Sequence, residues 1–314
     1  MLPPAVVHPS MLAAAVALSA AMMEALHRAR QFAPARTPIV LVGETGTGKS
    51  FLAAALHRES GRPGCMVDVT AGELRPELGP ASLFGHERGA FTGAVARRAG
   101  LLEQARGGTF LLDDFHLLHP EVQGALLRAV ECQRYRPLGA ERDLPLTCGL
   151  LFGLGCELDG LMEDGKLLAD LRYRLGYCTI HLPRLEERRE EIPSLAHLFL
   201  SQCPSEMGVD DGPRRFAQDV VPMLEAQRYP GNVRELKARV RAAYLLARGQ
   251  DVIGCHHFHG LENRVPVFQR RGDPRGQRLA VEWALAQSGG SIVQAARLLG
   301  VSRNTVSAVR RAAS

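Results

Sequence analysis

The octapeptide Gly43-Glu44-Thr45-Gly46-Thr47-Gly48-Lys49-Ser50 constrains this chain more than any other stretch. It fits G-x-x-x-x-G-K-[ST] and follows PIVLV at 38–42, a short apolar run that reads as a buried strand. A helix is expected from about Lys49 to His57. Glycines at this spacing let backbone N–H groups curl around phosphate oxygens, and the helix N-terminus adds a partial positive charge. In such a loop Lys49 reaches the β- and γ-phosphates of a nucleotide and Ser50 holds Mg²⁺. A strand feeding a phosphate loop and then a helix is the start of a parallel α/β sheet.

Such a loop needs an acidic partner for the metal. TFLL at 109–112 reads as a second buried strand, and it ends in Asp113-Asp114. Asp113 is the candidate Mg²⁺ partner, and Asp114 the carboxylate that orients the attacking water. GLLFGL at 149–154 suggests a third strand. With only 5% aromatic residues, the core is expected to rest on Leu, Val and Ala. From 184 onward the pattern turns helical, and 262–275, with Pro266, Gly272 and Pro274, reads as a linker. The expected divisions are a tail at 1–15, an α/β nucleotide-binding unit at 16–183, a helical lid at 184–261, the linker, and a small helical module at 276–314.

Charge and cysteine usage narrow the setting. Residues 264–314 carry nine Arg, no Lys and two acids, a balance of +7 against −2 for the remainder. That concentration suits a nucleic-acid contact. The seven cysteines are scattered without a C-x-x-C pair, which argues against a disulfide framework and for a reducing cytoplasm. The apolar run Met11 to Met23 lacks a preceding Lys or Arg and is too short to span a bilayer, so no membrane partner is expected. It reads as a helix leading into the first strand. Cys255-His256-His257-Phe258-His259 could suggest zinc, but adjacent residues rarely converge on one ion, and a loop closing the lid is the better reading.

Two further segments carry chemistry. Gly89-Ala90-Phe91-Thr92-Gly93-Ala94 sets one large ring among small residues, the composition of a mobile surface loop presenting an aromatic probe. The segment 291–311, SIVQAARLLGVSRNTVSAVRR, has an apolar seam through Ala295, Leu299, Val301, Val306 and Val309. Gly300 supplies the turn between two short helices and Ser302 an N-cap. Arg303, Asn304, Thr305, Ser307 and Arg310 would then face outward on the second helix, where Arg and Asn can read guanine and adenine edges in the major groove.

LFGHERGAFTGA, GGTFLLDDF, LRYRL, LPRLEERREEI and YPGNVREL together resemble the bacterial sigma-54 activators, a AAA+ family also called enhancer-binding proteins. The resemblance runs over nearly the whole chain. It implies a AAA+ P-loop sheet with a helical lid, and a C-terminal Fis-type helix-turn-helix on double-stranded DNA upstream of promoters. It implies ATP as the nucleotide and a ring of subunits, usually six, that moves the loops against the sigma-54 RNA polymerase. Phe91 and Thr92 would touch sigma-54, Arg174 would be the arginine finger reaching the neighbour's γ-phosphate, and Arg234 the lid arginine called sensor II. Members of this family often carry a sensory domain before the P-loop. Too few residues precede the first expected helix here, so control is expected from a separate protein or from expression level.

The chain also departs from the family. Asp113-Asp114 stands where Asp-Glu is usual, Leu154-Gly155 where sensor I ends in Thr-Asn, and Thr70 where a switch Asn pairs with the Walker B Glu. Leu168 replaces a second arginine, and Ser50 replaces a Glu. Nucleotide binding is expected intact and hydrolysis by this subunit alone slow, because a displacement of about 1 Å at the attacking water can cost about 100-fold in rate. Two arrangements follow: work in a mixed ring with a more complete partner, or regulation of DNA by a protein that binds ATP without efficient hydrolysis.

Overall fold

A computed structural model describes residues 18–260 except 36, 75–77, 156–157, 164–168, 176 and 209–210, together with Val281, Leu285, Ile292 and Val306. The chain packs as two units, one ending at Gly254 and one beginning at Cys255.

The first unit is built on five parallel strands. Helix α1 (Ala20–Phe32) precedes β1 (Ile39–Val42), and α2 (Lys49–Glu59) leads to β2 (Met66–Thr70). Helix α3 (Gly79–Phe84), the short strands β3 (Gly85–His86) and β4 (Arg98–Ala99), and α4 (Leu101–Gln104) come before β5 (Thr109–Asp113). Helix α5 (Pro120–Cys132) and the hairpin β6 (Arg134–Tyr135) and β7 (Leu144–Pro145) lead to β8 (Gly149–Leu154). Helices α6 (Leu158–Glu163) and α7 (Ala169–Leu175) precede β9 (Thr179–His181). The sheet order is β2-β5-β8-β1-β9. Register pairs Val42 with Leu154 and Thr70 with Asp113, so the carboxyl ends of four strands form one rim. In open α/β sheets that rim, where strand order reverses, is where ligands sit.

The three inner strands β5, β8 and β1 are apolar on both faces because helices cover both. Val40, Val42, Phe110, Leu112 and Phe152 point into one buried layer, with Leu126 and Val130 of α5. Ile39, Leu41, Leu111, Leu151 and Ile180 point into the other, with Ala25 and Ala29 of α1 and Leu52 and Leu56 of α2. Leu, Val and Ala do supply most of the core, but Phe110, Phe115 and Phe152 are fully buried at its centre. The rings of Phe115 and Phe152 meet at 5.1 Å.

After β9 come α8 (Ile192–Met207), β10 (Arg215–Phe216), α9 (Val220–Ala226), α10 (Asn232–Leu246) and β11 (Val252–Ile253). Buried Tyr229 ties this segment together. Its hydroxyl donates to Leu224 O at 2.8 Å, and the Arg239 guanidinium lies over its ring at 4.8 Å. Burial pushes the Tyr229 phenol up to about 12. In the second unit, Cys255–Phe258 form a 3₁₀ turn with His257 buried. Val281 and Val306 are helical and buried, as an apolar seam at Val306 requires. Among the described residues, no helix is long and apolar enough to cross a membrane.

Candidate functional site

The phosphate loop lies on the rim between β1 and α2. Lys49 is 5% exposed, and its ammonium donates to Gly43 O at 3.0 Å and stands 3.6 Å from Asp113 Oδ1. Asp113 closes β5 rather than following it, which places its carboxylate level with the loop. Burial pushes the Asp113 carboxyl above its usual value, the Lys49 ammonium pulls the other way, and Asp114 adds repulsion. The Asp114 N–H donates to Asp113 Oδ1 at 3.0 Å. Asp114 itself is in the left-handed region, with φ of 53°, which is uncommon outside glycine and costs backbone energy at a rim position.

A cavity of about 460 Å³ runs from this acid-base pair across the loop. Thr45, Gly46, Thr47, Gly48, Lys49, Ser50, Asp113, Asp114 and Arg234 line it. Leu18 and Met22 of the α1 region with Leu195 and Phe199 of α8 add apolar surface, beside the charged Arg188, Glu191 and Lys237. The cavity thus offers both charged groups for phosphates and apolar surface for a base, the mixture a nucleotide requires. Gly43 and Glu44 lie at the loop's entry. The Glu44 carboxylate accepts from Asn232 Nδ2 at 3.1 Å, and Arg184 Nη1 stands 4.0 Å from it. Hard oxygen donors on Ser50 and Asp113 suit a magnesium ion by chemistry. The space for the Asp113 carboxylate exists because residue 153 is glycine, since a Cβ there would stand 2.0 Å from Asp113 Oδ1.

Other candidates fall elsewhere. Arg174 on α7 is exposed, 3.7 Å from Glu131 of α5. Arg234 on α10 is exposed at the cavity mouth. The departures are on the same rim: Leu154 is fully buried, and a Cβ at Gly155 would come no nearer than 3.9 Å to Asp114 Oδ1. Leu168, Arg303, Asn304, Thr305, Ser307 and Arg310 lie outside the described residues.

The 89–94 loop corrects one expectation. It joins β3 to β4 and is folded on itself, with Gly89 N donating to Ala94 O at 2.8 Å and Ala94 N to Phe91 O at 3.0 Å. Phe91 is not a free probe. It is half-buried, its ring edge-on to His86 at 4.9 Å. The polar tip is Thr92, and the exposed apolar residue is Val95. A lone ring among glycines finds contact with the nearest ring at the loop's base, and composition cannot show that partner.

Sequence reasoning also missed Gly153, Arg188, Asn232 and the apolar lining of the cavity by Leu18, Met22, Leu195 and Phe199. Arg188 lies in the quoted stretch LPRLEERREEI and Asn232 in YPGNVREL, but neither stood out as a site residue.

A parallel sheet in this order, with the phosphate loop after the interior strand β1 and a helical segment over the cleft, defines a P-loop NTPase of the AAA+ class. The sigma-54 interaction domain family matches residues 15–181, the AAA+ ATPase lid domain 186–263, and the bacterial regulatory protein Fis family 280–308. The chain belongs to the sigma-54 activators. It is 34% identical over 233 residues to the transcriptional regulatory protein FlbD of Caulobacter vibrioides, covering 74% of this chain and 51% of that one. It is 33% identical to the transcriptional regulatory protein ZraR of Klebsiella oxytoca, covering 92% of this chain and 66% of that one. The chain therefore spans about half to two thirds of the length of these relatives. Among solved structures, NtrX from Brucella abortus in complex with ADP superposes with a TM-score of 0.71 at 27% identity, over 94% of this chain and 68% of that one.

Proposed function

We propose that the chain is a sigma-54-dependent transcriptional activator that binds ATP in the cleft above Lys49 and uses it to drive the 89–94 loop against sigma-54. One observation carries the reading: the Lys49 ammonium sits between Gly43 O and Asp113 Oδ1 in a cavity that the whole phosphate loop and the apolar Leu18, Met22, Leu195 and Phe199 line together. NtrX of Brucella abortus, solved with ADP and with ATP, supports a nucleotide in the matching place. Lys49 meets the β- and γ-phosphates and the loop N–H groups cradle them. Ser50 and Asp113 would hold Mg²⁺, which supplies charge neutralisation at the phosphates when bound. Asp114 orients the attacking water, and Arg234 approaches from the lid. Arg174, supplied by a neighbouring subunit in a ring, stabilises transition-state charge. Thr92, with Phe91 once freed from His86, meets sigma-54. Arg303, Asn304, Thr305, Ser307 and Arg310 hold promoter-upstream DNA in the major groove.

The deciding experiment is open-complex formation in vitro with sigma-54 RNA polymerase and ATP. Thr92→Ala should abolish promoter opening while ATP binding persists. Opening that survives in that variant removes Thr92 from the role. A second reading, slow hydrolysis by the lone subunit with full activity only in a mixed ring, is favoured by the rim itself. The short Asp114 side chain has no polar group at 154 or 155 to share the water with.

A further inference from the structure

A loop that turns its N–H groups toward a phosphate must turn its carbonyls away, because an inward carbonyl dipole repels the anion. Each outward carbonyl then needs a donor. All six carbonyls from Gly43 to Gly48 have a donor in this structure, and Glu44 O has two. Three are served locally: Gly43 O by Lys49 Nζ at 3.0 Å, Glu44 O by Thr47 Oγ1 at 2.8 Å and Thr47 N at 3.2 Å, and Gly48 O by Leu52 N at 3.0 Å.

The other three are consecutive, and all three donors come from the helical segment after β9. Thr45 O accepts from Asn232 Nδ2 at 3.2 Å, Gly46 O from Val233 N at 3.0 Å, and Thr47 O from Arg188 Nη2 at 2.5 Å. These donors are themselves fixed. Asn232 is fully buried in the left-handed region, φ 52°, and its Oδ1 accepts from Leu185 N at 2.8 Å. Arg188 is buried against Glu191, Nη1 to Oε2 at 2.9 Å. The other Glu191 oxygen accepts from the Ser19 N–H at 2.9 Å and hydroxyl at 2.7 Å, at the start of α1. The approach is close enough that a Cβ on Gly46 would stand 2.3 Å from Gly231 O.

We infer that Arg188 and Asn232 are positioning residues that hold the phosphate loop in its anion-accepting shape from the lid, so that lid placement sets affinity for the β-phosphate. This rests on the nucleotide reading above. Movement of the lid away from the loop releases the carbonyls of Thr45, Gly46 and Thr47 together, and their peptides can then rotate. The bond chain from Thr47 through Arg188 and Glu191 to Ser19 extends the same control to α1, whose Met22 also lines the cavity.

Calorimetric titration of the full chain with ADP and with AMP, in the presence of magnesium, tests this, because AMP lacks the phosphate that the loop cradles. Asn232→Asp keeps the acceptor for Leu185 but replaces the donor shared by Thr45 O and the Glu44 carboxylate with a second acceptor that repels both. It and Arg188→Ala should each weaken ADP binding on the order of tenfold or more, the effect of losing about one well-made bond and leaving its partner unsatisfied. AMP binding should change less than about threefold, and Arg188→Lys should recover most of the ADP affinity. Asn232→Gly preserves the backbone conformation and serves if Arg188→Ala does not fold. ADP bound as tightly by the variants as by the parent, or ADP and AMP weakened by the same factor, overturns the inference. A folded parent chain that binds no ADP overturns the nucleotide reading itself.

Discussion

Asp114 stands at the rim with a side chain one methylene shorter than the family's glutamate, and with glycine opposite at position 155. A glutamate at 114 paired with asparagine at 155 would extend both groups into the space between them. The double change Asp114→Glu with Gly155→Asn is expected to raise steady-state ATP turnover by on the order of tenfold or more, as better placement of the attacking water permits. Unchanged turnover in a correctly folded double variant would locate the slow step elsewhere. Gly153 answers a different residue-scale question. Alanine there collides with the Asp113 carboxylate, so Gly153→Ala should cost about 1–3 kcal/mol of stability and weaken magnesium-dependent nucleotide binding, read by thermal unfolding with and without ATP. Asp68 offers a pH test. The surrounding protein, most by desolvation and then by repulsion from Asp113, pushes its carboxyl up, although much of its surface is accessible to water. An acid with a raised folded-state pKa favours folding below its unfolded value of 3.8 and disfavours it once ionised. Asp68→Asn should therefore raise the melting temperature at pH 7, and the gain should vanish as pH falls below about 4.

At the scale of elements, the joins between helices and the loop carry the argument. Ser19 caps α1 through its hydroxyl, which accepts from Met22 N at 3.2 Å, and the same hydroxyl donates to buried Glu191 at 2.7 Å. Ser19→Ala removes both contacts, and the expected loss is about 1–2 kcal/mol, measured as a shift in the urea midpoint at constant slope. A shift smaller than a few tenths of a kcal/mol would mean that water replaces the hydroxyl at this junction. The β3–β4 connection behaves differently. Its composition announced a loop, but the edge-on contact of Phe91 with His86 folds the ring back and leaves Thr92 as the tip. Release of that contact is the element-level motion that the proposed function needs.

For the whole molecule, the arginine on α7 separates intrachain from interchain roles. Arg174 faces Glu131 across 3.7 Å with both side chains exposed, a pairing worth little to stability. Arg174→Ala should leave the melting temperature and nucleotide affinity of the single chain unchanged. It should also remove the rise in ATP turnover with protein concentration that the proposed ring would produce. Turnover that is independent of concentration in the parent chain would contradict a shared site.

The sequence by itself determined the parts whose cause is local. Gly43 to Ser50 after a β-branched run fixes a strand, a phosphate loop and a helix, because glycine spacing and apolar runs act within a few residues. TFLL followed by two acids likewise fixes a buried strand with charge at its end. The tertiary structure alone decided what depends on distant partners. Arg188 meets Thr47 across 141 positions and Asn232 meets Thr45 across 187, separations over which no periodicity or spacing rule reports contact. The same holds for Gly153, whose missing side chain matters only because β8 lies beside β5. The loop's shape is written next to the loop, but the donors that hold it are set by how the chain returns over the sheet.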